Sequence, residues 1–271
     1  MKLPEKLKIL LKNEIDPAFA KRAEYIFNKI SDKKPKKILD VGCGRGFYVF
    51  GCSLFNFIKE IHGLDNNDEY LKIAKRNCVD KRIKLRKGNA YSLPYPDKYF
   101  DFIICSEVLE HLKNDNKGLQ ELHRVLKPKG TLIITVPNKN FPFLWDPLNW
   151  LLMKVFKTHI NKDIWWLAGI WADHERLYDE KDIINKVNEN GFKILDSQRI
   201  INFCWPFSHF LLYGIGKNLV ERLKFNSFNR FNFNGKKTIS YYLGCLISLP
   251  SSLIKNYNKD PSVNISLLIQ K

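Results

Sequence analysis

The chain holds six cysteines but no pair at C-x-x-C spacing. Cys43, Cys52, Cys78, Cys105, Cys204 and Cys245 lie far apart and mostly within apolar runs, where a reduced thiol behaves as a small hydrophobe. Neither a disulfide framework nor a cysteine-based zinc site is expected. No apolar stretch reaches the 18 or so residues of a membrane-spanning helix. The nearest, 200–215 and 241–254, are broken by Pro206 and Pro250. The opening residues Met-Lys-Leu-Pro-Glu-Lys are interrupted by charge and lack the apolar core of a secretory signal. There is no internal repeat. These absences lead us to expect a cytoplasmic location and a reducing compartment.

Acidic residues are also scarce, 28 against 45 Lys plus Arg, which leaves a formal charge of +17 over 271 residues. The excess is +6 in 1–37, +4 in 38–137, zero in 138–200 and +7 in 201–271. Positive charge therefore gathers at the two ends. An anionic partner surface would suit it, whether membrane headgroups, nucleic acid or phosphorylated substrates. Lysine-rich composition serving solubility explains the same count. With 45% hydrophobic and 27% charged residues, the chain has ample material for a core and is neither disordered nor fibrous.

Apolar periodicity predicts helices over 1–30, with Leu3, Leu7, Leu10, Leu11 and Ile15 at helical spacing, then Phe19, Ala23, Ile26, Phe27 and Ile30. Strands are expected at 38–41, 61–64, 83–87, 102–105, 131–136, 192–197 and 263–269, and helices at 68–78, 109–125 and 179–190. This alternation implies an α/β fold with a doubly wound, mainly parallel seven-stranded sheet of Rossmann-like form. The organisation reads as an N-terminal helical segment (1–35), a ligand-binding core (36–138), an aromatic insertion (139–177), completion of the core by 178–199 and 262–271, and a basic, aromatic insertion (200–261). Five tryptophans fall in the first insertion: Trp145, Trp150, Trp165, Trp166 and Trp171.

The turn Leu39-Asp40-Val41-Gly42-Cys43-Gly44-Arg45-Gly46 joins the first strand to a helix. Glycines there let a ligand approach the backbone closely, with helix amides pointing at it. The spacing is G-x-G-x-G. A dinucleotide fingerprint would need glycine at 47, where Phe47 stands. Asp65 closes the next strand and could accept hydrogen bonds from two ribose hydroxyls, or cap the helix that begins near Asn67. Asp40 would repel a pyrophosphate but welcome an ammonium or sulfonium group.

The runs ILDVGCGRG, GLDNN, GNAYSLPYPDKYFDFIICSEVLEHL and ELHRVLKPKGTLIITVPN closely resemble the class I S-adenosylmethionine (SAM)-dependent methyltransferases. The branch most similar includes the ubiquinone-pathway O-methyltransferases and uncharacterised sugar and lipid methyltransferases. The likeness covers 38–138 and resumes at 174–200, in HERLYDEKDIINKVNENGFKIL. It implies SAM as cofactor, with Gly42, Cys43, Gly44 and Gly46 along the methionine moiety and Asp40 at its ammonium group. It places Asp65 on the ribose, Asn66 beside the adenine, and Asn89 and Ala90 at the adenine edge, where the family carries Asp-Ala. Ser106 would face the sulfonium or the acceptor. Asn89 and Ser106 also suit plain turn positions.

Displacement at a sulfonium mainly needs alignment of nucleophile, methyl carbon and sulfur. A hydroxyl acceptor further needs a base or a metal. In Glu107-Val108-Leu109-Glu110-His111, helical spacing would set Glu107, Glu110 and His111 on one face. Two carboxylates and an imidazole suit Mg²⁺, and some relatives of the resembled branch use such a trio as metal ligands. His111 acting alone as base, or a structural role for the trio, are the alternatives. His174 follows the aromatic insertion and could close over the acceptor as base or further ligand. Glu107, His111 and His174 are thus the candidate catalytic residues.

The insertions would choose the acceptor. Phe203, Trp205, Phe207, Phe210, Leu211, Leu212 and Tyr213, followed by Lys217, Arg222, Lys224 and Arg230, have the composition of an interfacial helix on anionic lipid. The expectation is O-methylation of a small-molecule, lipid-linked or glycan-type acceptor, with association at the inner face of the membrane. An RNA 2′-O-methyltransferase is the alternative, disfavoured because the aromatics sit in apolar runs instead of alternating with basic residues. A non-catalytic SAM-binding protein is a third reading.

Overall fold

The structure is a computed structural model that describes residues 3–164, 167–212, 242, 245–250 and 258–271. Trp165, Trp166, Tyr213, Lys217, Arg222, Lys224 and Arg230 lie outside the described residues. Two N-terminal helices, α1 (Glu5–Lys12) and α2 (Pro17–Lys33), lead into the first strand. Asp16 starts α2 by accepting the Ala18 amide at 2.9 Å, with Pro17 pre-set for the first turn.

From there strands and helices alternate: β1 (Lys37–Val41), α3 (Phe47–Ser53), β2 (Glu60–Asp65), α4 (Asp68–Asn77), β3 (Ile83–Lys87), β4 (Phe100–Ser106), α5 (Asp115–Val125) and β5 (Leu126–Pro137). After a short helix α6 (Pro147–Leu151) come α7 (Glu180–Glu189), β6 (Lys193–Ile200) and β7 (Asn264–Gln270). The sheet order is β3-β2-β1-β4-β5-β7-β6. All neighbours are parallel except β7, which runs antiparallel between β5 and β6. The seven-stranded Rossmann-like sheet expected from the sequence is present.

Its central strands are buried on both faces, which is why they read as continuous apolar runs. Leu39, Val41, Ile103, Cys105, Leu132 and Ile134 pack with Leu119, Leu122 and Val125 of α5 and Ile183 and Val187 of α7. Ile38, Phe102, Ile104 and Ile133 pack on the other face with Ile26, Phe27 and Ile30 of α2 and Val49 and Cys52 of α3. A third apolar cluster joins Phe141, Trp145 and Ile170 to Ile200, Ile201 and Cys204. Chain on either side of α7 and β6 therefore forms one cap beside the sheet.

One expected element is different. The helix predicted over 109–125 is broken into a single tight turn, Leu109–His111, and α5. Leu112 is extended (φ −83°, ψ 125°), and Asn114 begins a new helix by accepting the Lys117 amide at 3.0 Å. The N-cap preference of Asn prevails here over the apolar periodicity that ran through it.

Candidate active site

The glycine turn stands at the carboxyl edge of the sheet, where β1 passes into α3. Gly42, Gly44 and Gly46 have φ of 72°, 51° and 90°. The turn folds onto β2: the Gly42 and Cys43 amides donate to the Leu64 carbonyl at 2.8 and 3.0 Å, and the Gly44 amide donates to Asp65 Oδ2 at 2.7 Å. A Cβ on Gly42 would fall 2.5 Å from Val108, and one on Gly46 would fall 2.7 Å from the Cys78 sulfur. A Cβ on Gly44 would meet nothing within 4 Å. Gly42 and Gly46 thus serve packing, while Gly44 presents bare backbone to an open approach.

Asp40 is 1% exposed on β1, and its Oδ2 has no hydrogen-bond partner. Burial, reinforced by the negative charge of Asp65, pushes its carboxyl well above the usual aspartate range. A buried carboxyl oxygen without a partner is costly, and a cation arriving beside it would remove the cost. Asp65 is also buried. Its second oxygen accepts the Asn67 amide at 2.9 Å, but the cap of α4 is Asn67 itself, which accepts the Glu69 and Tyr70 amides. Cys43 is buried, and burial raises its thiol far above the ordinary range, so it behaves as an apolar residue.

Asn66 is exposed beyond β2. The Asn89 side chain accepts the Tyr91 amide at 2.8 Å in a short turn bridged to Ser92, and Ala90 packs against the core.

Ser106 ends β4 within a chain of hydrogen bonds. Thr135 Oγ1 donates to Glu107 Oε1 at 2.8 Å, so Ser106, 2.8 Å from the same Thr135 oxygen, donates to it. Tyr48, 3.3 Å from Ser106, in turn donates to the serine. Burial holds the Tyr48 phenol up at about 12. The other Glu107 oxygen accepts from Asn264 Nδ2 at 2.9 Å, and Asn264 Oδ1 accepts from Arg22 at 2.7 Å. Glu107 itself has φ +55°, the left-handed region that a residue with a Cβ rarely adopts.

The expected trio of Glu107, Glu110 and His111 does not converge. Helical spacing fails because the chain leaves β4 through that left-handed residue, and the Glu107 carboxylate is engaged by Thr135 and Asn264. His174 takes its place. Ligand atoms of Glu110, His111 and His174 all lie within 4.8 Å of one another. Glu110 is wholly buried and neither carboxylate oxygen has a hydrogen-bond partner. Burial, then the charge of Glu107, pushes its carboxyl well above the usual range. The rings of His111 and His174 meet edge to face, with centroids 4.8 Å apart. Burial lowers the His174 imidazole to about 3, so it is neutral at ordinary pH.

An Mg²⁺ ion on the expected trio does not fit this arrangement, because one of its two carboxylates faces other partners. Arg22, Tyr48, Thr135 and Asn264 were not singled out from the sequence. Arg22 could have been: it falls on the apolar stripe of α2, four residues from both Ala18 and Ile26. Asn264 lies 157 positions from Glu107 and carries no local signal.

Comparison with known proteins bears on the domain and its fold. The family pattern described as "methyltransferase domain" matches residues 39–134. An uncharacterised protein of Methanocaldococcus jannaschii is 35% identical over 139 residues, 51% of this chain and 56% of its own length. A sterol 24-C-methyltransferase of Pneumocystis carinii is 25% identical over 241 residues, 84% of this chain and 59% of the relative. The chain spans about half the length of the curated relatives it matches.

Among solved structures, an S-adenosylmethionine-dependent methyltransferase from Mesorhizobium loti aligns over 92% of this chain and 98% of its own, with a TM-score of 0.55 and 14% identity. The [4+2]-cyclase SpnF aligns over 93% and 81%, with a TM-score of 0.58 and 20% identity. Those two likenesses are of fold. Sequence pattern, strand order and glycine-turn geometry agree: residues 39–134 form a methyltransferase domain of the class I SAM-dependent type.

Proposed function

We propose that this chain transfers the methyl group of SAM to a hydroxyl on a small-molecule, lipid-linked or glycan-type acceptor. Asp40, buried with its Oδ2 unpartnered, carries the SAM part of the reading, because the α-ammonium of a methionine moiety is the cation such an oxygen awaits. Gly42, Cys43, Gly44 and Gly46 line that moiety. Asp65 turns towards the ribose while still holding the Gly44 amide, with Asn66 beside the adenine and Asn89 and Ala90 at its edge. Ser106 stands next to the sulfonium.

His111 and His174 are the groups able to take the acceptor's proton. Both Nδ1 atoms lie against backbone carbonyls, Asp173 at 2.8 Å and Ile170 at 2.6 Å. A carbonyl can only accept, so Nδ1 carries the hydrogen and Nε2 is left as the base. His111 is the better placed of the two, since its ring is 41% exposed while His174 is largely buried. Glu107, held by Thr135 and Asn264, acts as a positioning residue at the end of the Tyr48–Ser106–Thr135 relay.

A lipid acceptor draws support from the sterol methyltransferase relative and from the cap. Leu148, Leu151, Val155 and Phe156 are exposed along one stretch, with Lys154 and Lys157 beside them. That composition suits an anionic membrane surface. Among the described residues no helix is long and apolar enough to cross a membrane. The test is incubation with methyl-labelled SAM and a cell extract, followed by separation of lipid, glycan, RNA, protein and small-molecule fractions. Label in lipid or glycan supports the reading; label in RNA replaces it with the RNA 2′-O-methyltransferase.

A further inference from the structure

His111 belongs to the turn after β4, yet the group that orients its ring comes from the cap. Its Nδ1–H donates to the Asp173 carbonyl at 2.8 Å. The hydrogen bond at one ring nitrogen decides the form of the other, and here it leaves Nε2 bare. An imidazole without such a bond favours the hydrogen on Nε2, where it cannot take up a further proton and serve as a base. The ring is 41% exposed at the end of a single tight turn, so its own surroundings do little to hold it. What places the Asp173 carbonyl therefore governs His111.

Residues 173–178 are laid along 109–115 by polar contacts. The Glu175 amide donates to the Glu110 carbonyl at 2.8 Å, and the Arg176 guanidinium donates to the Leu112 and Lys113 carbonyls at 2.7 and 2.9 Å. These contacts converge on Asp115, the first residue of α5, which is 5% exposed. Its Oδ2 accepts the Tyr178 hydroxyl at 2.6 Å and lies 3.1 Å from Arg176, while Oδ1 accepts Lys186 Nζ of α7 at 3.0 Å. Burial, then Asp115 itself, pushes the Tyr178 phenol far above its ordinary range, so it remains a donor.

We infer that Asp115 is the positioning residue for His111: through Arg176 and Tyr178 it sets the register of 173–178 on the turn after β4, and so fixes the tautomer and pose of the His111 imidazole. An acid in the first turn of a helix suits the helix dipole, but that role asks for neither burial nor partners from the cap. Nor is stability the main return, because desolvation offsets most of what a buried ion cluster gains; registry is what such a cluster supplies. The consequence for methyl transfer rests on the proposed role of His111 Nε2 as base. The positioning itself does not, and can be read without any acceptor.

The test is ¹⁵N NMR of the full chain labelled at histidine, with His111→Gln and His174→Gln to assign the two rings. In Asp115→Ala the His111 ring should shift from the Nδ1–H towards the Nε2–H form. His174 should keep Nδ1–H, because its acceptor, the Ile170 carbonyl, lies in its own segment. Asp115→Asn retains an acceptor oxygen and should fall between. Tyr178→Phe keeps the buried ring and should move His111 in the same direction, which covers the case that Asp115→Ala does not fold. SAM affinity should be unchanged. Methyl transfer from labelled SAM into a cell extract should fall by roughly tenfold or more, a share of the roughly 100- to 10,000-fold that a positioned base contributes. A His111 shift with transfer unchanged would support the positioning and overturn the assignment of His111 as base. An unchanged His111 ring in folded Asp115→Ala or Tyr178→Phe, equal shifts in both rings, or weakened SAM binding would each overturn the inference.

Discussion

In the proposed reading SAM recognition turns on Asp40, and the protonation of its carboxyl gives a signed prediction. In the free protein its carboxyl is raised well above the ordinary range, so it keeps its proton beyond the pH at which an exposed aspartate has lost it. A bound ammonium group favours the carboxylate. Binding should therefore release a proton, and affinity should climb as pH rises towards the free-protein pKa. Calorimetry in buffers of differing ionisation enthalpy reads that proton directly. Asp40→Asn should abolish the proton release and weaken SAM binding by about 1–3 kcal/mol, the range for losing a charge-assisted hydrogen bond.

Glu60 gives the matching case for stability. Lys37 at 3.0 Å and the Tyr99 hydroxyl at 2.8 Å hold its carboxyl down to about 2. A depressed carboxylate contributes stability above its unfolded pKa and loses it as pH falls through the folded value. The melting temperature should decline from about pH 4.5 towards pH 2, and Glu60→Gln should flatten that decline. His62, which burial pushes below its ordinary range, resists protonation and adds to the acid loss at somewhat higher pH.

At the scale of elements, the site is held by contacts between segments far apart in sequence. Asn264, the first residue of β7, joins Arg22 of α2 to Glu107. Asn264→Ala would leave a half-buried carboxylate and a buried guanidinium each with one partner fewer. It should cost about 1–3 kcal/mol, measured by urea unfolding, and should loosen α2 from the sheet edge. Asn114→Ala removes the cap that ends the Leu109–His111 turn and starts α5. A loss of about 1 kcal/mol is expected, again from denaturant midpoints.

The same distinction explains what could be read from the sequence. The strands, the glycine turn, Asp40 and Asp65 were legible because each depends on local pattern: an apolar run, a spacing of glycines, an acid closing a strand. The Glu107–Glu110–His111 face expected from periodicity is absent, because periodicity runs through Asn114 and gives no hint of a left-handed Glu107. His174 reads from the sequence as a base or further ligand following the aromatic insertion. Its meeting with Glu110 and His111 depends on how the cap folds back, which no local spacing records. Arg22 and Asn264 are of the same kind.

For the whole molecule, the fold divides labour between a sheet that presents the glycine turn and a cap that overlies its carboxyl edge. The cap carries exposed apolar residues near lysines, while the net charge of +17 sits mainly in the terminal regions. If the acceptor lies in a membrane, the protein should cosediment with vesicles rich in anionic lipid, and binding should fall steeply with salt. Leu151→Asp with Phe156→Asp should abolish cosedimentation without altering SAM affinity. Equal binding to neutral vesicles would count against the charge contribution.

The central claim is that the glycine turn, Asp40 and Asp65 form a SAM site. Isothermal titration of SAM into the folded chain, beside its Asp65→Ala variant, tests it most directly. We predict one site in the wild type and binding weakened by about 1–3 kcal/mol in the variant. A folded wild-type chain that binds no SAM, or a variant that binds it equally well, would contradict the account.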